Sequence, residues 1–160
     1  MLQGEGREAP RVERLEDIHE SYNFPEAVDL CCGNGHVRRA LSGGRGGVEK
    51  LLELDTSEAM LAASAEAAKS EATPDDDDFP PVTVTRQIVD DEVPRLERES
   101  ADLIVSSMAL QWVNDPPRFL KRVRRALKPN GLFLGAMLGG ETLTEMRSAF
   151  VLADLERAGG

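Results

Sequence analysis

Val28-Asp29-Leu30-Cys31-Cys32-Gly33-Asn34-Gly35-His36 leads from apolar residues through two adjacent cysteines into two glycines separated by one residue. Such a run reads as a redox or metal site, a nucleotide-binding loop or an ordinary tight turn. Cys31 and Cys32 are the only cysteines in the chain. A structural metal needs further ligands at spacings such as Cys-x-x-Cys, and nothing here supplies them. A disulfide between neighbours would be strained. The cysteines therefore read as small buried side chains at a strand end, which leaves the loop and the turn.

The elements to either side decide the fold. Ala27 to Leu30 is a short buried strand, and a helix follows the glycines from about His36 to Leu41. Ser42–Gly47 (SGGRGG) is a loop by composition. Val48 to Leu54 is a second strand, after which Thr56 or Ser57 caps an alanine-rich helix through Ala63. Pro81–Val89 alternates like a third strand, Ala101–Ser106 is a fourth and Gly131–Met137 a fifth. Between the last two, PPRFLKRVRRALKPNG (Pro116–Gly131) is an amphipathic helix with Phe119, Leu120, Val123, Ala126 and Leu127 on its apolar face. Its basic residues read as a solvated face. Strands alternating with helices, the strands nearly uniformly apolar, predict an α/β fold with a central parallel sheet of about five strands covered on both faces.

Residues 1–26 read as an N-terminal helical arm, with Val12, Leu15 and Ile18 recurring at a spacing of three. Residues 27–160 form the domain. Within it, TPDDDDFPP (residues 73–81) is an acidic surface insertion, because adjacent aspartates repel and prolines stop regular structure. It lacks the alternating ligands and the downstream glutamate of a calcium loop. A net charge of −10 argues against a nucleic-acid binder, which needs a basic face. No apolar run approaches the ~20 residues of a membrane span. The opening MLQGEGREAP has neither a signal core nor transit-peptide character, so the protein stays where it is made or its true N-terminus is missing here.

In a sheet of this kind ligands bind at the carboxyl ends of the strands, beside the point where strand order reverses. The glycine turn lies there. A dinucleotide fingerprint would place a third glycine at position 38, which is Arg38. A pyrophosphate site is thus poorly supported. Asp55 ends the second strand 20 residues beyond Gly35 (55 − 35 = 20), where a carboxylate can accept both hydroxyls of a ribose. Asp90-Asp91 follows the third strand, where it would meet the exocyclic amine of an adenine. Nothing basic is placed to neutralise a phosphate, so these positions suit an adenosyl ligand without one.

VDLCCGNG, ELDTSEAML, ADLIVSSMALQWVND and LKPNGLFLGA resemble the successive motifs of class I S-adenosylmethionine-dependent methyltransferases. The resemblance implies a Rossmann-like three-layer sandwich with strand order 3-2-1-4-5 and S-adenosylmethionine as cofactor. It implies that Asp29, Gly33 and Gly35 line the methionine end, with Cys31 where the first motif usually carries glycine. Asp55 would hold the ribose, Asp90 would read the adenine and Met60 would pack near the adenosine. GGETLTEMR (residues 139–147), with the Leu110–Asp115 string and the upstream RVERLEDI, is similar to the mitochondrial complex I assembly-factor family of methyltransferase fold. That family is credited with hydroxylating an arginine of a complex I subunit. The resemblance implies a complex I subunit as protein partner, at the matrix side of the inner mitochondrial membrane. It also implies a truncated chain that lacks the family's last strands.

No residue is assigned as catalytic: methyl transfer to a good nucleophile needs mainly alignment of donor and acceptor. His36, at the helix start, reads as a cap or packing residue. Gln111 and Trp112, after the fourth strand, are placed to face a substrate, though Trp112 fits the core equally well. Two other functions stay open. One is a non-catalytic assembly partner. The other is a carboxyl methyltransferase of the biotin-pathway type, which shares the Ala-Leu-Gln-Trp style.

Overall fold

The computed structural model describes residues 23–42, 45–71, 81–90 and 95–158. The elements are β1 (Glu26–Leu30), α1 (His36–Leu41), β2 (Lys50–Asp55), α2 (Glu58–Glu71), β3 (Thr83–Ile88), β4 (Ala101–Ser107), α3 (Pro116–Ala126), β5 (Leu127–Ala136) and α4 (Thr144–Ala158). All strand pairs are parallel, in the expected order β3-β2-β1-β4-β5. Strand order reverses between β1 and β4, so the carboxyl end of β1 lies at the switch point where such sheets take their ligands.

The period of two along β1 sends alternate residues to opposite faces. Ala27 packs with Leu51, Leu103 and Val105 under Val37 and Leu41 of α1. Val28 and Leu30 pack with Leu54 and Ile104 under Phe119, Val123 and Ala126 of α3. Burial on both faces explains why these strands read as continuous apolar runs.

α3 begins where the Asp115 carboxylate accepts the N–H of Arg118 at 3.0 Å, and its opening prolines need no donor there. Phe119, Val123 and Ala126 face the sheet as expected, but Leu120, placed on the same face by the sequence, is 48% exposed. It sits one residue past Phe119, about 100° around the helix. The helix stops at Ala126, Leu127 already being extended, and Pro129 keeps Lys128 extended after it. β5 accordingly starts at Leu127 rather than Gly131, pairing Leu127 with Ala101 before a register shift brings Leu132 opposite Leu103.

Glu26, assigned to the arm from sequence, belongs to β1, where its N–H donates to the Asp102 carboxylate at 3.0 Å. The arm with Val12, Leu15 and Ile18, the Asp75–Asp78 run and Asp91 lie outside the described residues.

Candidate functional site

The turn after β1 is built from left-handed residues: Cys31 at φ +60°, Gly33 at +55° and Gly35 at +85°. Glycine takes such angles without strain, whereas Cys31 takes one at a cost. The turn is tied down from both sides. Cys32 N–H donates to the Leu54 carbonyl at 3.0 Å, and Gly35 N–H donates to the Cys32 carbonyl at 3.1 Å.

Asp55, the last residue of β2, is nearly buried. One carboxylate oxygen accepts the N–H of Gly33 at 2.9 Å, and the other accepts the N–H of Ser57 at 2.9 Å. The glycine turn and the acid expected to hold a ribose are therefore in direct contact. Ser57 also caps α2, its hydroxyl accepting the N–H of Met60 at 3.3 Å, which decides between Thr56 and Ser57. Met60 is left half exposed on the first turn of that helix.

Asp29 lies opposite Glu53 in the β1–β2 register and is fully buried. Neither of its carboxylate oxygens has a hydrogen-bond partner among the described residues. Burial, reinforced by the charges of Glu53 and Asp55, pushes its carboxyl up to about 8. Burial also raises the Cys31 thiol to about 11, with Asp55 and Asp29 adding to it, and raises Cys32 further. Both cysteines are free, and both keep their protons near neutrality.

The two glycines differ in what surrounds them. A Cβ at Gly33 would meet nothing within 4 Å among the described residues, whereas one at Gly35 would lie 2.6 Å from the Ser64 hydroxyl. Gly33 thus borders open space, and Gly35 rests on a floor.

The other expected residues lie on the same rim. Val89 N–H donates to the Asp55 carbonyl at 3.0 Å, which carries the exposed Asp90 just past the end of β2. Gln111 and Trp112 form a 3-10 turn beyond β4. Trp112 is 76% exposed, which removes the core reading. Gln111 donates to the Met108 carbonyl at 2.7 Å, and its side-chain oxygen has no partner among the described residues. His36 is exposed, its Nδ1 3.5 Å from an Arg39 nitrogen.

A groove of about 910 Å³ lies along β1, β2 and β3, lined by Val28, Leu52, Leu54, Val89, Asp90 and Leu96 among others. It includes Asp90 but none of Asp29, Gly33, Gly35 or Asp55. The strand ends that bring the glycine turn to Asp55 therefore converge outside this groove.

Sequence reasoning missed Glu53. It is fully buried beneath the glycine turn, accepting the Ser64 hydroxyl at 2.7 Å with Arg86 at 2.8 Å and Arg38 at 3.8 Å. The available signal was an acid two residues before Asp55, hence on the same strand face, in an otherwise apolar run.

Residues 28–135 match the family model described as Methyltransferase domain. The chain is 38% identical over 149 residues to the human protein named Arginine-hydroxylase NDUFAF5, mitochondrial, covering 93% of this chain and 38% of that one. It is 35% identical over 152 residues to the malonyl-[acyl-carrier protein] O-methyltransferase of Methylovorus sp. (strain MP688), covering 93% of this chain and 48% of that one. It thus spans less than half the length of these curated relatives. Among solved structures, an S-adenosylmethionine-dependent methyltransferase from Mesorhizobium loti superposes with a TM-score of 0.56 at 34% identity, over 77% of this chain and 51% of that one.

Proposed function

This chain belongs to the Methyltransferase domain family, and on that premise we propose that it binds S-adenosylmethionine at the β1–β2 rim and works in assembly of mitochondrial respiratory complex I, modifying an arginine of a complex I subunit. The observation that carries the binding is the 2.9 Å hydrogen bond from Gly33 N–H to the Asp55 carboxylate. Each Asp55 oxygen keeps a lone pair for a ribose hydroxyl after accepting its backbone N–H. The open space beside Gly33 admits the ligand's thioether region against bare backbone. Asp29, Cys31 and Gly35 border the methionyl end, Met60 flanks the adenosine, and Asp90 accepts from the adenine amine.

When bound, the cofactor supplies an electrophilic methyl group. The chain's own contribution is alignment: the β1 turn and Asp55 hold the donor, and Gln111 and Trp112 face the acceptor from β4. The arginine target and a mitochondrial place rest on similarity to the arginine-hydroxylase, and the complex I partner and the matrix side of the inner membrane on the motif resemblance. No helix among the described residues is long and apolar enough to cross a membrane.

A second reading is O-methyl transfer to a carrier-bound carboxylate, favoured by similarity to the malonyl-[acyl-carrier protein] enzyme over 93% of this chain. Calorimetric titration with S-adenosylmethionine tests the shared step: one saturable site is expected, and a folded chain that takes none overturns it. Mass spectrometry then separates the acceptors. A methyl or an oxygen gained on arginine supports the first reading, and a methyl ester on an acyl carrier supports the second.

A further inference from the structure

Four elements meet beneath the glycine turn at one buried acid. Glu53 of β2 is fully enclosed, as is Ser64 of α2, whose hydroxyl donates to Glu53 Oε2 at 2.7 Å. Arg86 of β3 places its Nε 2.8 Å from the same oxygen, and Arg38 of α1 places its Nε 3.8 Å from Oε1. Arg86 also reaches the Ser64 hydroxyl at 3.5 Å. A carboxylate this deep persists only when cations and donors compensate it, and here α1, α2 and β3 each bring one.

This network abuts the backbone of the turn. A Cβ on Gly35 would lie 2.6 Å from Ser64 Oγ and 3.3 Å from Glu53 Oε1. Gly35 therefore lies close against the Glu53–Ser64 pair, with no room for a side chain between them. Gly35 in turn starts α1, its carbonyl accepting Arg39 N–H at 3.2 Å. Two residues earlier in the same turn, Gly33 N–H donates to the Asp55 carboxylate.

We propose that Glu53 is a positioning residue for the ligand turn, holding Gly35 and the start of α1 at the height that binding requires, through Ser64 from below and through Arg38 and Arg86 from the sides. It touches neither cofactor nor substrate. The inference rests on the cofactor reading for its effect on affinity, but its effect on the turn itself is independent of any ligand.

The test uses the full chain with Glu53→Gln and Ser64→Ala. Amide hydrogen exchange is read at Gly33, Gly35 and Arg39, with β4 amides as the internal reference. Both variants should exchange at those three positions about tenfold faster while β4 keeps wild-type protection, a local opening that general destabilisation would not reproduce. Affinity for S-adenosylhomocysteine should fall about tenfold in Glu53→Gln and that for adenosine much less, because only the former reaches the turn. Wild-type exchange at those amides in both variants overturns the proposal, as does faster exchange spread evenly over the sheet. Should Glu53→Gln fail to fold, Ser64→Ala alone decides. Wild-type protein that ignores S-adenosylhomocysteine would remove the cofactor reading and leave the exchange result to judge Glu53.

Discussion

At the scale of single residues, the β1 turn separates two kinds of glycine. Gly33→Ala has room for its methyl and incurs only left-handed strain, about 1–2 kcal/mol, while filling the space assigned to the ligand. Gly35→Ala adds a collision with Ser64 and should lose roughly 1–3 kcal/mol more. Urea unfolding with calorimetry should therefore show Gly33→Ala folded but weak in binding, and Gly35→Ala deficient in both. Equal stability of the two variants would contradict the floor. Cys31 stands at φ +60°, so Cys31→Gly trades relieved strain against chain entropy and should change stability by less than about 1 kcal/mol. The β-branched Cys31→Val should destabilise clearly.

Asp29 gives a pH dependence whose sign follows from its raised carboxyl. From its ordinary value of 3.8 up to about 8 the folded state holds a proton that the unfolded chain releases. The associated stability is complete below the lower value and is lost as pH rises through the upper one. Relative to Asp29→Asn, wild-type protein should lose up to about 1.4 kcal/mol per pH unit across that window, as read by urea unfolding. Parallel profiles would contradict a protonated Asp29. Asp55 could be found from sequence because a strand end and a fixed spacing mark it. Glu53 showed only as a charge in an apolar strand, since its partners come from three other elements and only folding brings them together.

At the scale of elements, the α1 helix has the bounds its sequence suggests, ending where loop glycines begin. The junction of α3 and β5 was less legible. Leu127 fits the helical apolar stripe, yet tertiary pairing with Ala101 draws it into the sheet. The stripe also overcounts by one residue, as Leu120 shows. Phe119→Ala should cost about 3–5 kcal/mol in chemical unfolding, and Leu120→Ala about 0.5 or less. Similar losses at both positions would mean that α3 is rotated from the face described. α4 was visible only as part of a family-like segment; it leaves Phe150, Val151, Leu152 and Leu155 exposed.

At the scale of the whole molecule, alternation of strands and helices revealed a parallel sheet, but strand order entered through resemblance, because local patterns do not encode which strands become neighbours. Given that order, the ends of β1 and β2 had to meet, and the Gly33–Asp55 hydrogen bond is the result. Whether that junction holds an adenosyl group is best read by amide chemical shifts of labelled protein titrated with S-adenosylhomocysteine. The amides of Gly33, Gly35 and Ser57 should move together and saturate, while those of Lys121, Arg124 and Arg125, exposed on α3 away from the sheet, stay still. Saturating shifts confined to any other part of the sheet, or none at all from folded protein, would contradict the site.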